Sequence, residues 1–434
     1  MSEIGISPFP CDITASGEAV TVESGDHRKM SSHNSLGFSR TRLRRIDRFL
    51  TERYVETGKL VGALVTVARR GETVHTAMAG VADRERNIPL REDSIFRIYS
   101  MTKPITSVAF MMLVEEGLVG LDDPVHRFIP SWRDLGVFVA GVPGAFQTRR
   151  AAAPMRVIDL LRHTSGLTYD FQARTNVDAA YRKFKIGVID TGVPLDRMVE
   201  LLAQTPLEFS PGEAWNYSVS TDVLGYLVGL ISGMPFEQFL RERILDPLEM
   251  TDTDFQVSSD KQARLTACYT LDPQGNVVLQ DDPATSRYRK PPPFVSGGGG
   301  LVGTAGDYMK FCQMLLNGGT ANGHRFLGPK TVALMTMNHL PGGKELIETS
   351  RSLFTEAAYG GLGFGLGFAV VLDRAKTMTP GNVGEYFWGG AASTAFWIDP
   401  KDQIAAVLMT QLLPSSSYPI RQQLRTLVYS ALEE

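Results

Sequence analysis

The chain has 434 residues, a formal net charge of −3 and a pI near 6.2, so it offers no cationic surface for nucleic acid or an anionic membrane. Hydrophobic residues at 43%, charged residues at 21% and 42 glycines describe a globular protein with enough chain for a large core and two or three domains. The expected partners are therefore small neutral or weakly charged molecules.

Cys11, Cys268 and Cys312 are far apart, odd in number and without a Cys-x-x-Cys pair, so reduced cysteines are expected and neither a disulfide framework nor a thiolate metal site is suggested. The histidines include no His-Glu-x-x-His helix, and no metal is expected.

Residues 1–40, rich in Ser and Gly, read as an N-terminal extension. They lack the charged start and apolar stretch of a secretory signal, and no run of about 18 apolar residues occurs anywhere. A cytoplasmic location without membrane association is the expectation. A helix follows over 42–54, then β-rich runs at 60–68 and 73–79 joined by Arg69-Arg-Gly-Glu72, which predict a hairpin.

Ser100-Met-Thr-Lys103-Pro104 then heads the apolar run from Ile105 to Val114. Proline lacks an amide hydrogen and is tolerated only in a first helical turn, so Pro104 places the helix start close to Ser100. Residues three apart share a helix face, which brings the Lys103 amine within reach of the Ser100 hydroxyl, and the helix N-terminus favours nearby negative charge. A weak nucleophile thereby gains a base and an anion-stabilising setting. The helix behind it, apolar nearly all round, should be buried. Ser-x-x-Lys recurs roughly once or twice by chance in a chain of this length. Ser258 and Lys261 repeat it in a polar segment with no apolar helix behind, and that copy reads as a surface loop.

From 119 to 291 the signals are mostly helical, at Val157–His163, Leu195–Leu202, Asp222–Ile231 and Phe236–Leu248, with Ala140–Pro154 read as an irregular Gly/Ala/Pro-rich loop. Ser296-Gly-Gly-Gly-Gly300 is followed by no Gly-Lys-Ser/Thr, so it reads as a turn or close backbone packing and not as a phosphate cradle, and no cofactor is expected. After a helix over 305–316 come strand-like runs at 364–372, 384–388, 393–398 and 404–411, then a helix over 419–432. The expected organisation is an α/β domain of α+β type built from 41–118 and 292–434, with an antiparallel sheet flanked by helices, and a mostly helical domain, 119–291, inserted between.

A Ser-Lys hydrolase needs a further proton-transfer group and a pair of donors for the oxyanion. Tyr217, in Pro211-Gly-Glu-Ala-Trp-Asn-Tyr-Ser218, and the strand end Trp388-Gly389-Gly390-Ala391 are the candidates. Together with Ser100-Met-Thr-Lys103, Leu160-Leu-Arg-His-Thr-Ser-Gly-Leu167 and Gly298-Gly-Gly-Leu-Val-Gly-Thr-Ala305, their order resembles that of the serine β-lactamase and penicillin-recognising superfamily, over roughly residues 40–430. Within it they are most similar to family VIII carboxylesterases, relatives of class C β-lactamases.

The resemblance implies a β-lactamase/transpeptidase-like fold, Ser100 as nucleophile, Lys103 and Tyr217 sharing general acid and base duty, and the backbone N–H groups of Ser100 and Ala391 as oxyanion hole. Trp388, Gly389, Gly390 and Val219 would contact substrate. Val219 replaces the asparagine of β-lactamases, and Trp388 the lysine of Lys-Thr-Gly, which argues against binding β-lactam or peptide carboxylates and for neutral esters. His163 reads as a capping or packing residue. The Gly-x-Ser-x-Gly elbow of α/β-hydrolases is absent from the sequence.

The expected activity is hydrolysis of short-chain acyl esters, with weak side activity on cephalosporins. The rivals are a β-lactamase or D-alanyl peptidase, an acyltransferase, and a catalytically silent scaffold. Oligomeric state is not legible in the sequence.

Overall fold

The spacing of Leu43, Ile46 and Leu50 gives the segment Arg40–Leu50 (α1) one buried face, and a π-helical turn carries it on to Val55. The computed structural model describes residues 36–187, 193–352, 356 and 360–433; of the expected extension 1–40, residues 1–35, with Cys11, lie outside the described residues. Gly62–Arg69 (β1) and Glu72–Asp83 (β2) form the expected hairpin, turning at Arg70-Gly71, and Ile88–Pro89 (β3) pairs with β2. Thr102–Glu115 (α2) follows a single 3-10 turn, Tyr99–Met101, and has Pro104 in its first turn. Every residue from Thr102 to Leu113 is buried, as an apolar periphery requires.

Gly136–Val142 (β4) and Ala145–Arg150 (β5) form a hairpin where the sequence reading expected an irregular loop over Ala140–Pro154. Its turn is Pro143-Gly144, with Gly144 at φ 97°, the pairing that a tight turn with positive φ at its second central residue favours. Phe138 and Phe146 meet edge to face across it, 5.8 Å apart. The small residues between them hide the alternation from which a strand is ordinarily read.

Ser220–Ser232 (α3) packs on α2, and Ala305–Leu316 (α4) packs on the sheet. The expected strand 364–372 is two strands, Leu362–Phe364 (β6) and Ala369–Val371 (β7), folded back on each other. The bend is set by packing and not by local sequence, because Gly367, at φ 100°, passes so close to α2 that a Cβ there would lie 2.4 Å from the Ser107 hydroxyl. Tyr386–Gly389 (β8), Ala395–Asp399 (β9), Ile404–Thr410 (β10) and the helix Ile420–Ser430 (α5) complete the chain.

The main sheet runs β6-β7-β8-β9-β10-β1-β2-β3, antiparallel throughout. Its centre joins the two halves of the sequence, Ala63 pairing with Thr410 and Arg69 with Ile404. All residues of β9 and β10 are buried, which requires cover on both faces. This is the antiparallel sheet flanked by helices, with further helices between its two contributing segments, that the sequence implied. Among the described residues no single helix is long and apolar enough to cross a membrane; α3 qualifies only jointly with 236–245, across an 85° bend.

The α5–sheet contact is polar at its heart. Glu385, fully buried just before β8, accepts from Arg374 at 2.5 Å and Arg425 at 2.9 Å, and the Tyr429 hydroxyl lies 2.7 Å from it. Truncating one partner of such a cluster strands two guanidinium groups away from water. Glu385→Ala should therefore cost about 3–5 kcal/mol of stability, read from urea unfolding with an unchanged m-value; a loss comparable to that of an exposed substitution would contradict this account.

Candidate active site

Ser100 sits in the 3-10 turn that feeds α2, preceded by Tyr99 in the left-handed region at φ 43°. A non-glycine residue there costs roughly 1–2 kcal/mol, a strain held where the serine is presented. One turn along, Lys103 is only 2% exposed; its ammonium donates to the Gly298 carbonyl at 2.6 Å and to Ser100 Oγ at 3.1 Å. Tyr217, on the turn that opens α3, donates its hydroxyl to the same Oγ at 2.6 Å. Residues distant in sequence thus bracket one oxygen.

Burial is the leading influence on both neighbours. It pushes the Lys103 amine down to about 7, against the opposing pull of Asp222 and Glu356, and pushes the Tyr217 phenol up, well away from ionisation near neutrality. Lys103 is therefore the group able to hold a lone pair at pH 7, while Tyr217 keeps its proton. The phenol is walled by rings: His163 at 5.2 Å, Tyr169 at 5.3 Å, Trp388 at 5.4 Å and Trp215 stacked at 6.2 Å. His163 is buried with Nδ1 3.2 Å from Ser218 Oγ, and burial holds its pKa well below the usual value, so it packs as a neutral ring.

Ser100, Tyr217 and Ala391 open onto one cavity of about 730 Å³. Val219, Trp388, Gly389 and Gly390, expected to contact substrate, do not line it. Val219 is fully buried beneath Gly187, where a Cβ would come within 2.5 Å of its Cγ1, and Trp388, 1% exposed, backs Tyr217 instead of meeting solvent. The duplicate Ser258 and Lys261 lie in a surface turn, with Lys261 Nζ 3.0 Å from Asp252.

Asp222 was not anticipated from the sequence as part of the site. Its buried carboxylate lines the cavity, accepts from Ser296 Oγ at 2.5 Å and from the Gly298 amide at 2.9 Å, and raises the Lys103 pKa. Gly298 must be glycine here, since a Cβ would lie 2.6 Å from Asp222 Oδ2. The available signal was an acidic residue heading an otherwise apolar helix. Tyr169 and Glu356, also on the cavity wall, left no comparable sign.

The Beta-lactamase family model matches residues 48–430. The chain belongs to this family. Among relatives of this beta-lactamase-family chain, esterase EstB of Burkholderia gladioli is 32% identical over 390 residues, covering 86% of this chain and 91% of EstB. The structure of EstCE1, described as a hydrolase with promiscuous acyltransferase activity, superposes with a TM-score of 0.75 at 26% identity, covering 90% of this chain and 99% of that one. Simvastatin synthase (LovD) from Aspergillus terreus does so at 0.73 and 25%, covering 90% and 98%. This beta-lactamase-family chain is thus a member of a family of serine hydrolases, with an esterase among its relatives, in line with the resemblance to family VIII carboxylesterases.

An amine whose proton leaves near pH 7, 3.1 Å from a serine hydroxyl, has a signature. The rate of Ser100 labelling by a fluorophosphonate should rise as pH passes upward through about 7, the value to which burial pushes the Lys103 amine. Asp222→Asn removes a charge that favours the ammonium, so it should move this rise to lower pH. A shift to higher pH, or a profile flat from pH 5 to 9, would refute the electrostatic assignment.

Proposed function

We propose that the protein is a serine carboxylesterase that hydrolyses short-chain acyl esters through an acyl-Ser100 intermediate. The observation that carries this reading is the Ser100 hydroxyl held between a desolvated amine at 3.1 Å and a protonated phenol at 2.6 Å, at the wall of a cavity shared with Ala391. Neutral Lys103 takes the Ser100 proton as Oγ attacks the ester carbonyl, and the amides of Ser100 and Ala391 receive the negative charge forming on the carbonyl oxygen. As the tetrahedral centre collapses, Tyr217 gives its proton to the departing alkoxide and recovers one from Lys103. Water then attacks the acyl carbon, its proton passing to the same pair, and Ser100 Oγ leaves with a proton restored to it.

Neutral esters are favoured over β-lactams because position 388, beside Tyr217, carries an uncharged indole where a lysine would place a cation. Acyl transfer to an alcohol is the second reading. It is supported by the cavity of about 730 Å³, larger than a short acyl chain fills, and by the acyltransferase activity described for EstCE1. The substrate proposed is thus a small-molecule ester handled without metal, cofactor or nucleic acid, in the cytoplasm and away from membranes.

The deciding experiment compares kcat/KM for p-nitrophenyl acetate, butyrate and octanoate with that for nitrocefin. The butyrate should be turned over far faster than nitrocefin, and Ser100→Ala should lower its turnover by at least about 10³-fold with the fold intact. Nitrocefin turnover equal to the best ester would move the assignment to a β-lactamase, and ester turnover surviving in Ser100→Ala would end the acyl-serine reading.

A further inference from the structure

The loop that presents Ala391 is held from behind by a charge. Arg421, in the first turn of α5, donates through Nη2 to the Gly390 carbonyl at 2.8 Å and to the Thr394 carbonyl at 2.6 Å, and through Nη1 to Glu356 at 2.5 Å. Its side chain is 16% exposed and that of Glu356 only 1%. The same two carbonyls close the turn itself, for the Gly390 amide donates to Thr394 at 2.9 Å and the Ser393 amide to Gly390 at 3.0 Å, with Ser393 strained at φ 70°. The guanidinium therefore bridges both ends of the tip 391–393.

Two features tie this arrangement to the neighbouring glycines. A Cβ on Gly389 would lie 2.6 Å from the Arg421 guanidinium, and one on Gly390 would lie 2.4 Å from the Ile98 carbonyl. The Gly-Gly pair is thus the space into which the arginine and the backbone at Ile98, just before Ser100, close. The Gly390 carbonyl and the Ala391 N–H, moreover, are the two ends of one peptide unit. A cation bonded to the oxygen draws electrons along the amide and makes its N–H a stronger donor, as hydrogen bonds in series reinforce one another.

We propose that Arg421 is a positioning residue for the oxyanion hole, fixing and polarising the Gly390–Ala391 peptide so that the Ala391 N–H is aimed and strengthened toward the charge that develops on the acyl oxygen. The proposal rests on the acyl-Ser100 reading above and adds to it a residue that lies off the cavity wall. Because the effect is exerted on developing charge, it acts on the transition state more than on bound ester. Its partner Glu356 compensates the arginine within the protein, so the influence is local to the peptide and needs no charged substrate.

The test is a double-mutant cycle of Gly389→Ala and Arg421→Gln, with Arg421→Lys as the conservative variant. The readouts are kcat and KM for p-nitrophenyl butyrate, together with the inhibition constant of a trifluoromethyl ketone, which places an oxyanion on the serine adduct. Arg421→Gln should lower kcat about 10- to 100-fold, less than the loss of a direct donor, with KM changed by less than about threefold. Ketone affinity should weaken by the same factor as kcat. Arg421→Lys should keep part of both, and Gly389→Ala, which displaces the guanidinium, should add little to Arg421→Gln.

A kcat within about twofold of wild type in folded Arg421→Gln would overturn the proposal, as would a kcat loss with unchanged ketone affinity. Should Arg421→Gln fail to fold, kcat and ketone affinity are measured in Arg421→Lys and Gly389→Ala, where a parallel loss of both supports the proposal and the absence of one overturns it. Wild-type protein without Ser100-dependent ester turnover would instead defeat the acyl-serine reading on which the proposal stands, an outcome recognised before any Arg421 variant is measured.

Discussion

The withdrawal of one amine from water is the constraint on which the rest of this structure turns. Lys103 stands on a helix buried on every side, and an ammonium there would lose most of its hydration. The surroundings return only part of what is lost: a carbonyl from Gly298, the hydroxyl of Ser100 and the charges of Asp222 and Glu356. A fuller set of acceptors would lock the proton on, and a poorer one would leave a buried polar atom without a partner. The intermediate provision leaves the amine able to change protonation state at neutral pH, and it demands that the glycine run, the start of α3 and the head of α2 all meet at one point.

The parts of this arrangement legible in the sequence are those fixed by local geometry. Ser100 and Lys103 are one helical turn apart, and Pro104 marks where that turn begins, so their contact follows from covalent structure and helix periodicity. The hairpin of β1 and β2 and the strands from β8 to β10 announce themselves by β-branched and aromatic runs between turn residues. By contrast, the hairpin of β4 and β5 is written in small residues that read as a loop, and the fold-back between β6 and β7 depends on Ser107, far away in the chain. Asp222 looked like the start of a helix because its meeting with Lys103 is made by packing alone. The identities at 219 and 388 were readable, but the direction of their side chains was not: both turn inward, one beneath Gly187 and the other behind Tyr217.

Helix α5 shows how a polar interface can specify register. Arg421, Arg425 and Tyr429 recur at four-residue intervals on one face and meet Glu356, Glu385 and Asp399 in turn. A purely apolar contact would tolerate the helix sliding along the sheet, whereas charged pairs at fixed intervals penalise any displacement. The strand that ends in Trp388-Gly-Gly thus receives its position from the last helix of the chain, and the aromatic wall behind Tyr217 inherits it.

The central pairing of β1 with β10 also sets a timetable. Ala63 pairs at once with Ala79 of β2, but its other edge has no partner until Thr410 has been synthesised, and at the usual pace of about 5–20 residues per second that apolar edge of β1 waits on the order of tens of seconds at the ribosome. Contacts so distant in sequence make folding slow, because loop closure precedes any gain from pairing. Ser100 is therefore translated early, while the sheet that its 3-10 turn packs against is completed only when the C-terminal strands dock. Until those strands dock, a nascent chain presents the unpaired edge of β1 to its neighbours, the kind of edge that chaperones cover.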